Sequence, residues 1–178
     1  MIIYRTLLGS AVVTLPPRVQ ELHGSASERL WRGVARVRRG RGLVARAIAA
    51  VIGFPPEGEN VPVTVQFSPE RGGERWTRTF GGATFSSQQS IGTGRDQYLL
   101  VERFGFVAVS LALVVEDQRL FLVPRRWSIA GIPMPAFLMP TGQSFEFEQD
   151  GNFHFDVTIA IPFIGLIAAY QGKLAPIA

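Results

Sequence analysis

The sequence predicts a mainly β protein of the α+β kind: one large curled antiparallel sheet or β-barrel, with one covered helix. Three observations carry this. About nine segments alternate apolar and polar side chains with the period of a strand. Their connections are hairpin-short and glycine-rich, and Asp150-Gly151 is the strongest two-residue turn signal among them. One stretch, Leu43 to Ile52, changes period and sets Leu43, Ala47, Ile48, Val51 and Ile52 on a single helical face. A sheet of that many strands curls or closes, which removes its edges.

Composition bounds the answer. The 178 residues suit a single domain, 1–178, and 47% hydrophobic against 18% charged residues gives a packed core. Cysteine is absent, which excludes disulfides, thiolate zinc sites and cysteine nucleophiles and fits a reducing, cytoplasmic setting. Only His23 and His154 could serve a multi-histidine metal site, so no metal and no cofactor is expected. The two most apolar segments, Leu43 to Phe54 and Val157 to Tyr170, fall short of the ~20 residues of a membrane span. No secretory signal is read, because the apolar stretch after Arg5 is broken by Gly9 and Ser10.

In chain order, Met1 to Val13 suits a short helix or an irregular packed segment. Pro16-Pro17 opens a helix that Gly24 ends, with His23 in its last turn, where partial positive charge is favoured. Glu28 to Arg38 alternates as a half-buried strand. The Leu43–Ile52 helix stops at Gly53 and Pro55-Pro56, and its apolar character predicts that it is mostly covered. Strands are then expected at Val61–Phe67, Glu74–Phe80, Phe85–Gln89, Tyr98–Arg103, Phe106–Val115 and Arg119–Val123. Pro124 to Pro140 reads as partly irregular, a lid or contact surface. Ser144–Glu148 and Phe153–Ile161 form the clearest hairpin, and Gly165–Leu174 closes the chain.

The net charge of +4 is concentrated in Arg29, Arg32, Arg36, Arg38, Arg39, Arg41 and Arg46. Such a surface can bind nucleic acid or anionic membrane, or be a plain solvated face. No aromatic side chains interleave as stacking platforms, which disfavours nucleic acid.

The chemistry centres on Glu74 to Phe80. As a strand it puts Trp76, Arg78 and Phe80 on one face, a core face with a guanidinium in its middle. Glu102 falls likewise on the apolar face of its strand. A buried Arg78–Glu102 pair is the inference, either purely structural or with Arg78 holding a carboxylate or phosphate headgroup in the barrel mouth. His154 and Asp156 share a strand face that reads as the polar outside. There is no Gly-x-Ser-x-Gly elbow and no Walker loop, so the sequence names no catalytic residue.

Several short motifs follow one another in a distinctive order: Leu15-Pro16, His23-Gly24, Arg32-Gly33, Gly53-Phe54-Pro55 and Val61-Pro62-Val63, then Trp76-Thr77-Arg78-Thr79-Phe80, Phe85-Ser86-Ser87 and Glu102-Arg103-Phe104-Gly105. Gly131-Ile132-Pro133-Met134-Pro135, Pro162-Phe163-Ile164-Gly165, Tyr170 and Gly172-Lys173-Leu174 complete it. In this order they resemble a bacterial domain-of-unknown-function family, number four-one-six-six, over nearly the whole chain. The resemblance implies a stand-alone cytoplasmic module, sometimes fused to a saccharopine-dehydrogenase-like, nucleotide-binding domain. It implies a dehydrogenase-like partner at most, and it carries over no catalytic residue.

Together these readings lead to a binding module for a hydrophobic or lipid-like small molecule, with Arg78, Glu102, Tyr170 and Trp76 as ligand-binding residues. The alternative is an enzyme or accessory subunit acting on such a molecule. A third reading is the basic surface through Arg32, Arg36 and Arg38. Thirteen phenylalanines could equally fill the interior and leave a solid core.

Overall fold

In the computed structural model, which describes residues 2–177, ten antiparallel strands close into a barrel. Its strands are β1 (Arg29–Arg39), β2 (Gly58–Glu70), β3 (Gly73–Phe80), β4 (Ala83–Ile91), β5 (Leu100–Phe104), β6 (Val107–Glu116), β7 (Arg119–Ile129), β9 (Ser144–Gln149), β10 (Asn152–Ile161) and β11 (Gly165–Pro176). A two-residue strand β8 (Ile132–Pro133) folds back on the end of β7. Round the barrel the order is β6-β5-β4-β3-β2-β1-β11-β10-β9-β7, and β7 pairs back with β6 to close it. The expected strands all form, and all but one lie within about three residues of their expected limits; β7 instead runs past Val123 to Ile129, into the stretch expected to be partly irregular. Met1 and Ala178, the ends of the expected domain, lie outside the described residues.

Most neighbours are joined by short turns, so register follows from turn geometry. Of the pairings not made across a short turn, two stand out. β1 and β11, near opposite ends of the sequence, pair through nine positions from Trp31↔Pro176 to Arg39↔Ala168. β7 and β9 share only two, Leu120↔Glu146 and Phe121↔Phe145. Glycine is required where β1 and β11 approach most tightly. A Cβ on Gly33 would lie 1.7 Å from the Lys173 carbonyl oxygen.

Three helices pack at the barrel ends. α1 (Ile3–Leu8) and α2 (Pro17–His23), with a 3-10 turn at Gly9–Thr14 between them, precede β1 and plug the end where β1 starts. Ile3, Tyr4, Val19, Leu22 and His23 are buried there. The backbone N–H of Arg18, at the start of α2, donates to Glu148 of β9 at 2.7 Å. α3 (Leu43–Ile52) joins β1 to β2 at the other end. Gly53, left-handed at φ 83°, ends it with its N–H on the Ala49 and Ala50 carbonyls.

α3 lies where the period change placed it, but the expectation that it is mostly covered is corrected. Only Ala45 and Ala49 are buried, while Leu43, Val44 and Val51 are 82, 57 and 68% exposed. The helix lies across the barrel rim rather than inside it. Its small alanines seat it there, and its larger side chains are left facing the opening and solvent.

The phenylalanines do not fill the interior. Phe54, Phe67, Phe80, Phe85, Phe153 and Phe155 are buried, whereas Phe106, Phe137 and Phe163 are exposed. Phe121, Phe145 and Phe147 are half-buried in a cluster of their own, with Arg119 over the rings of Phe145 and Phe147. The outcome is a hollow barrel rather than a solid one.

Candidate functional site

A cavity of about 670 Å³ occupies the barrel interior. Apolar side chains from almost every strand supply its walls, among them Val65, Val109, Leu122, Phe155 and Ile159. At the α3 end it is bounded by Val51, Phe106 and Phe163, which are also exposed to solvent, so this end is the mouth. At the other end Leu22 of the α1–α2 plug contributes to the floor.

All four residues expected to bind a ligand, Arg78, Glu102, Tyr170 and Trp76, line this one cavity. Inward alternation places them: Trp76, Arg78 and Phe80 on β3, Glu102 on β5, Tyr170 on β11. Arg78 donates to Glu102 Oε1 at 3.0 Å and to Ser87 Oγ at 2.8 Å, and Ser87 donates to the same Glu102 oxygen at 2.6 Å. The Arg78 guanidinium also stands over the rings of Trp76 and Phe85, at 4.9 and 5.5 Å from their centroids. The charges are therefore paired, hydrogen-bonded and stacked, which is what a buried ion pair requires.

The position of the pair corrects one expectation. It sits towards the plugged end and not in the mouth. Gln89 is the direct register partner of Glu102, and Gln89 Oε1 accepts a hydrogen bond from Tyr4 of the plug at 3.0 Å.

The plug adds a second polar group that sequence reasoning missed. His23 Nε2 lies 2.5 Å from Glu146 Oε2, both are buried, and the His23 ring stacks on Tyr4 with centroids 3.6 Å apart. His23 was expected to serve only the end of its helix. Alternation with the apolar Phe145 and Phe147 argues for Glu146 on the outside, yet it points inward and lines the cavity. The signal was the Asp150-Gly151 turn. It pairs Gln149 with Asn152, and so sets Glu146 opposite Phe155 on the inner face. Phe147 then stacks on His154 outside, at 5.1 Å. His154 and Asp156 do not line the cavity.

The cavity also has open valences. Among the described residues, no hydrogen bond reaches Glu102 Oε2, Glu146 Oε1, the Gln89 amide nitrogen or the Tyr170 hydroxyl, and all four residues line the cavity. Burial pushes the Tyr170 hydroxyl up to about 12, with Arg78 partly opposing and Glu102 adding. Burial likewise raises Tyr4 well above the ordinary tyrosine value, helped by the carboxylates of Glu146, Glu102 and Glu74. Both are therefore neutral hydrogen-bonding groups at physiological pH.

These shifts predict alkaline behaviour. Both tyrosines are raised in the folded state, so their contribution to stability is fully present below the unfolded value near 10. It is lost as pH rises through the folded values. Urea midpoints should be level up to about pH 10 and fall beyond it, and Tyr170→Phe should make the fall shallower. A slope unchanged in Tyr170→Phe and Tyr4→Phe would contradict the burial described.

The sequence pattern of a family described as Domain of unknown function (DUF4166) matches residues 15–174. The chain belongs to the DUF4166 family. In the DUF4166 barrel the match takes in α2, α3 and β1 through β10 whole, and with them every residue that lines the cavity. Tyr4, which closes the floor over Gln89, lies before it. The match concerns the domain itself and not a dehydrogenase-like neighbour. No curated protein matches the chain. No helix among the described residues is long and apolar enough to cross a membrane. Arg32, Arg36 and Arg38 are exposed on the outer face of β1, and Arg36 is paired with Glu59 at 2.6 Å.

Proposed function

We propose that this DUF4166 barrel binds a neutral, largely apolar small molecule with a hydrogen-bond-donating polar end, such as a long-chain or polycyclic alcohol. The cavity carries the reading: about 670 Å³ lies in the 300–1,000 Å³ range typical of small-molecule sites, roughly the size for a lipid-like body. The floor narrows the class. Arg78 is already committed to Glu102 and Ser87. The free oxygens belong to two carboxylates, Glu102 and Glu146, which accept from a hydroxyl and repel a ligand carboxylate.

Displacement of a fluorescent long-chain alcohol tests this. The alcohol should bind, and the fatty acid of equal chain length should compete at least about tenfold more weakly, the cost of setting its negative charge against Glu146, the floor carboxylate that no guanidinium pairs among the described residues. Equal or tighter binding of the fatty acid would overturn the floor assignment. Absence of any apolar binding would overturn the reading as a whole. Small molecules extracted from the native protein and identified by mass spectrometry give the natural ligand directly.

A second reading, an enzyme acting on the same molecule, draws on Glu146. It is a carboxylate in the cavity floor with a histidine at its back, an arrangement that can accept a proton from a bound hydroxyl or carbon acid. It requires that the bound alcohol be recovered chemically altered.

A further inference from the structure

The mouth of the barrel carries large apolar side chains that no part of the chain covers. Phe163 is 93% exposed at the β10–β11 turn and holds a left-handed backbone, φ 68°. Phe106 is exposed at the β5–β6 turn, Val51 on α3, and Ile132 and Phe137 in the segment after β7. These come from four separate connections, and strand direction brings all four to one end. β5, β7 and β10 run towards the mouth, and β1 leads there into α3. Val51, Phe106 and Phe163 also line the cavity, so the rim is continuous with its apolar wall. An uncovered apolar ring of this kind marks a contact surface.

Charge narrows the occupant. Arg41 in the β1–α3 turn, Arg46 on α3 and Arg103 near the end of β5 are exposed at the same end. Glu59 at the start of β2 is engaged by Arg36, which leaves Glu57 of the α3–β2 connection. The rim is thus apolar at its centre and basic at its margin. A second copy docked mouth to mouth would bring like-charged arginine margins together. A bilayer with anionic headgroups instead takes the apolar tips below the headgroup plane and neutralises the arginines.

We propose that the mouth of this barrel docks on anionic phospholipid membrane, with Phe106, Phe137 and Phe163 inserted and Arg41 and Arg46 on the headgroups. Docking needs nothing of the cavity. Direct exchange of ligand between bilayer and cavity is a consequence that rests on the binding reading above.

Flotation of the full chain with vesicles tests it. Vesicles of equal parts phosphatidylcholine and phosphatidylglycerol should carry the protein up, and pure phosphatidylcholine vesicles should do so far less. Arg41→Glu with Arg46→Glu should reduce binding to anionic vesicles by roughly tenfold or more. Phe137→Ser with Phe163→Asn should do likewise, asparagine being tolerated at the left-handed position. Both pairs are at exposed sites, so thermal melts should match the unsubstituted protein. Failure to float on anionic vesicles would overturn the proposal, as would flotation indifferent to both pairs of substitutions. So would a stable dimer in sedimentation that Phe137→Ser with Phe163→Asn dissolves, since the rim would then be covered by a second copy. Alcohol binding in the absence of vesicles should survive Arg41→Glu with Arg46→Glu, which separates failure of docking from failure of the cavity reading.

Discussion

Arg78→Leu is expected to destabilise the barrel by ~3–5 kcal/mol, because it leaves the buried Glu102 carboxylate with a single hydroxyl donor, Ser87. Glu102→Gln should cost somewhat less, since the amide oxygen still accepts while the guanidinium loses its counter-charge. The double change Arg78→Leu with Glu102→Leu should recover much of the loss. It removes both desolvation penalties and leaves only the Ser87 hydroxyl to satisfy. Urea unfolding of the two singles and the double measures the coupling. Small, additive effects would mean that the pair is solvated through the cavity and adds little. The double variant also asks what the pair does beyond stability. It should still take up apolar molecules but should lose part of its preference for an alcohol over its methyl ether, because Glu102 Oε2 no longer accepts while Glu146 Oε1 still does.

The second large effect is on binding. Val109 and Ile159 line the cavity from β6 and β10 and are only half-buried, because their inner surfaces face the open interior. Val109→Phe with Ile159→Trp should occupy that space. In a packed core such enlargement costs about 1–3 kcal/mol. Here the added atoms enter a void and gain contacts, so stability should hold or rise. Affinity for the alcohol should fall by about a hundredfold or more, the loss of the ligand's apolar seat. Unchanged affinity in a variant shown to be folded would place the binding site outside the barrel.

Much of this was legible in the sequence, and the reasons differ by element. β3 and β5 could be read because each sets a lone charge among large apolar residues with a two-residue period, and only a partner makes that tolerable. α3 could be placed because its period changes abruptly between Gly42 and Gly53, but its coverage could not. An apolar helix stripe does not say whether a barrel wall or open solvent lies against it. β9 misled because phenylalanine looks more internal than glutamate. The hairpin register to β10 overrode that preference, with Phe153 and Phe155 claiming the inner face and carrying Glu148 and Glu146 with them. The Tyr4 and His23 contributions needed the path of the N-terminal segment across the barrel end, which no local pattern specifies.

The barrel wall is not equally strong all the way round. Nine paired positions hold β1 to β11, while two hold β7 to β9, and the segment from Met134 to Gln143 bridges what is left open. Trp127, Pro140, Thr141 and Ser144 stand at that gap and also line the cavity. Local opening free energies follow the number of backbone bonds and buried contacts that must be given up. This seam therefore parts at far less cost than the barrel unfolds. The container is thus weakest along one side, and amide hydrogens on either flank of the β7–β9 seam should exchange well before those of β1 and β11, with the plug and the ion pair still in place.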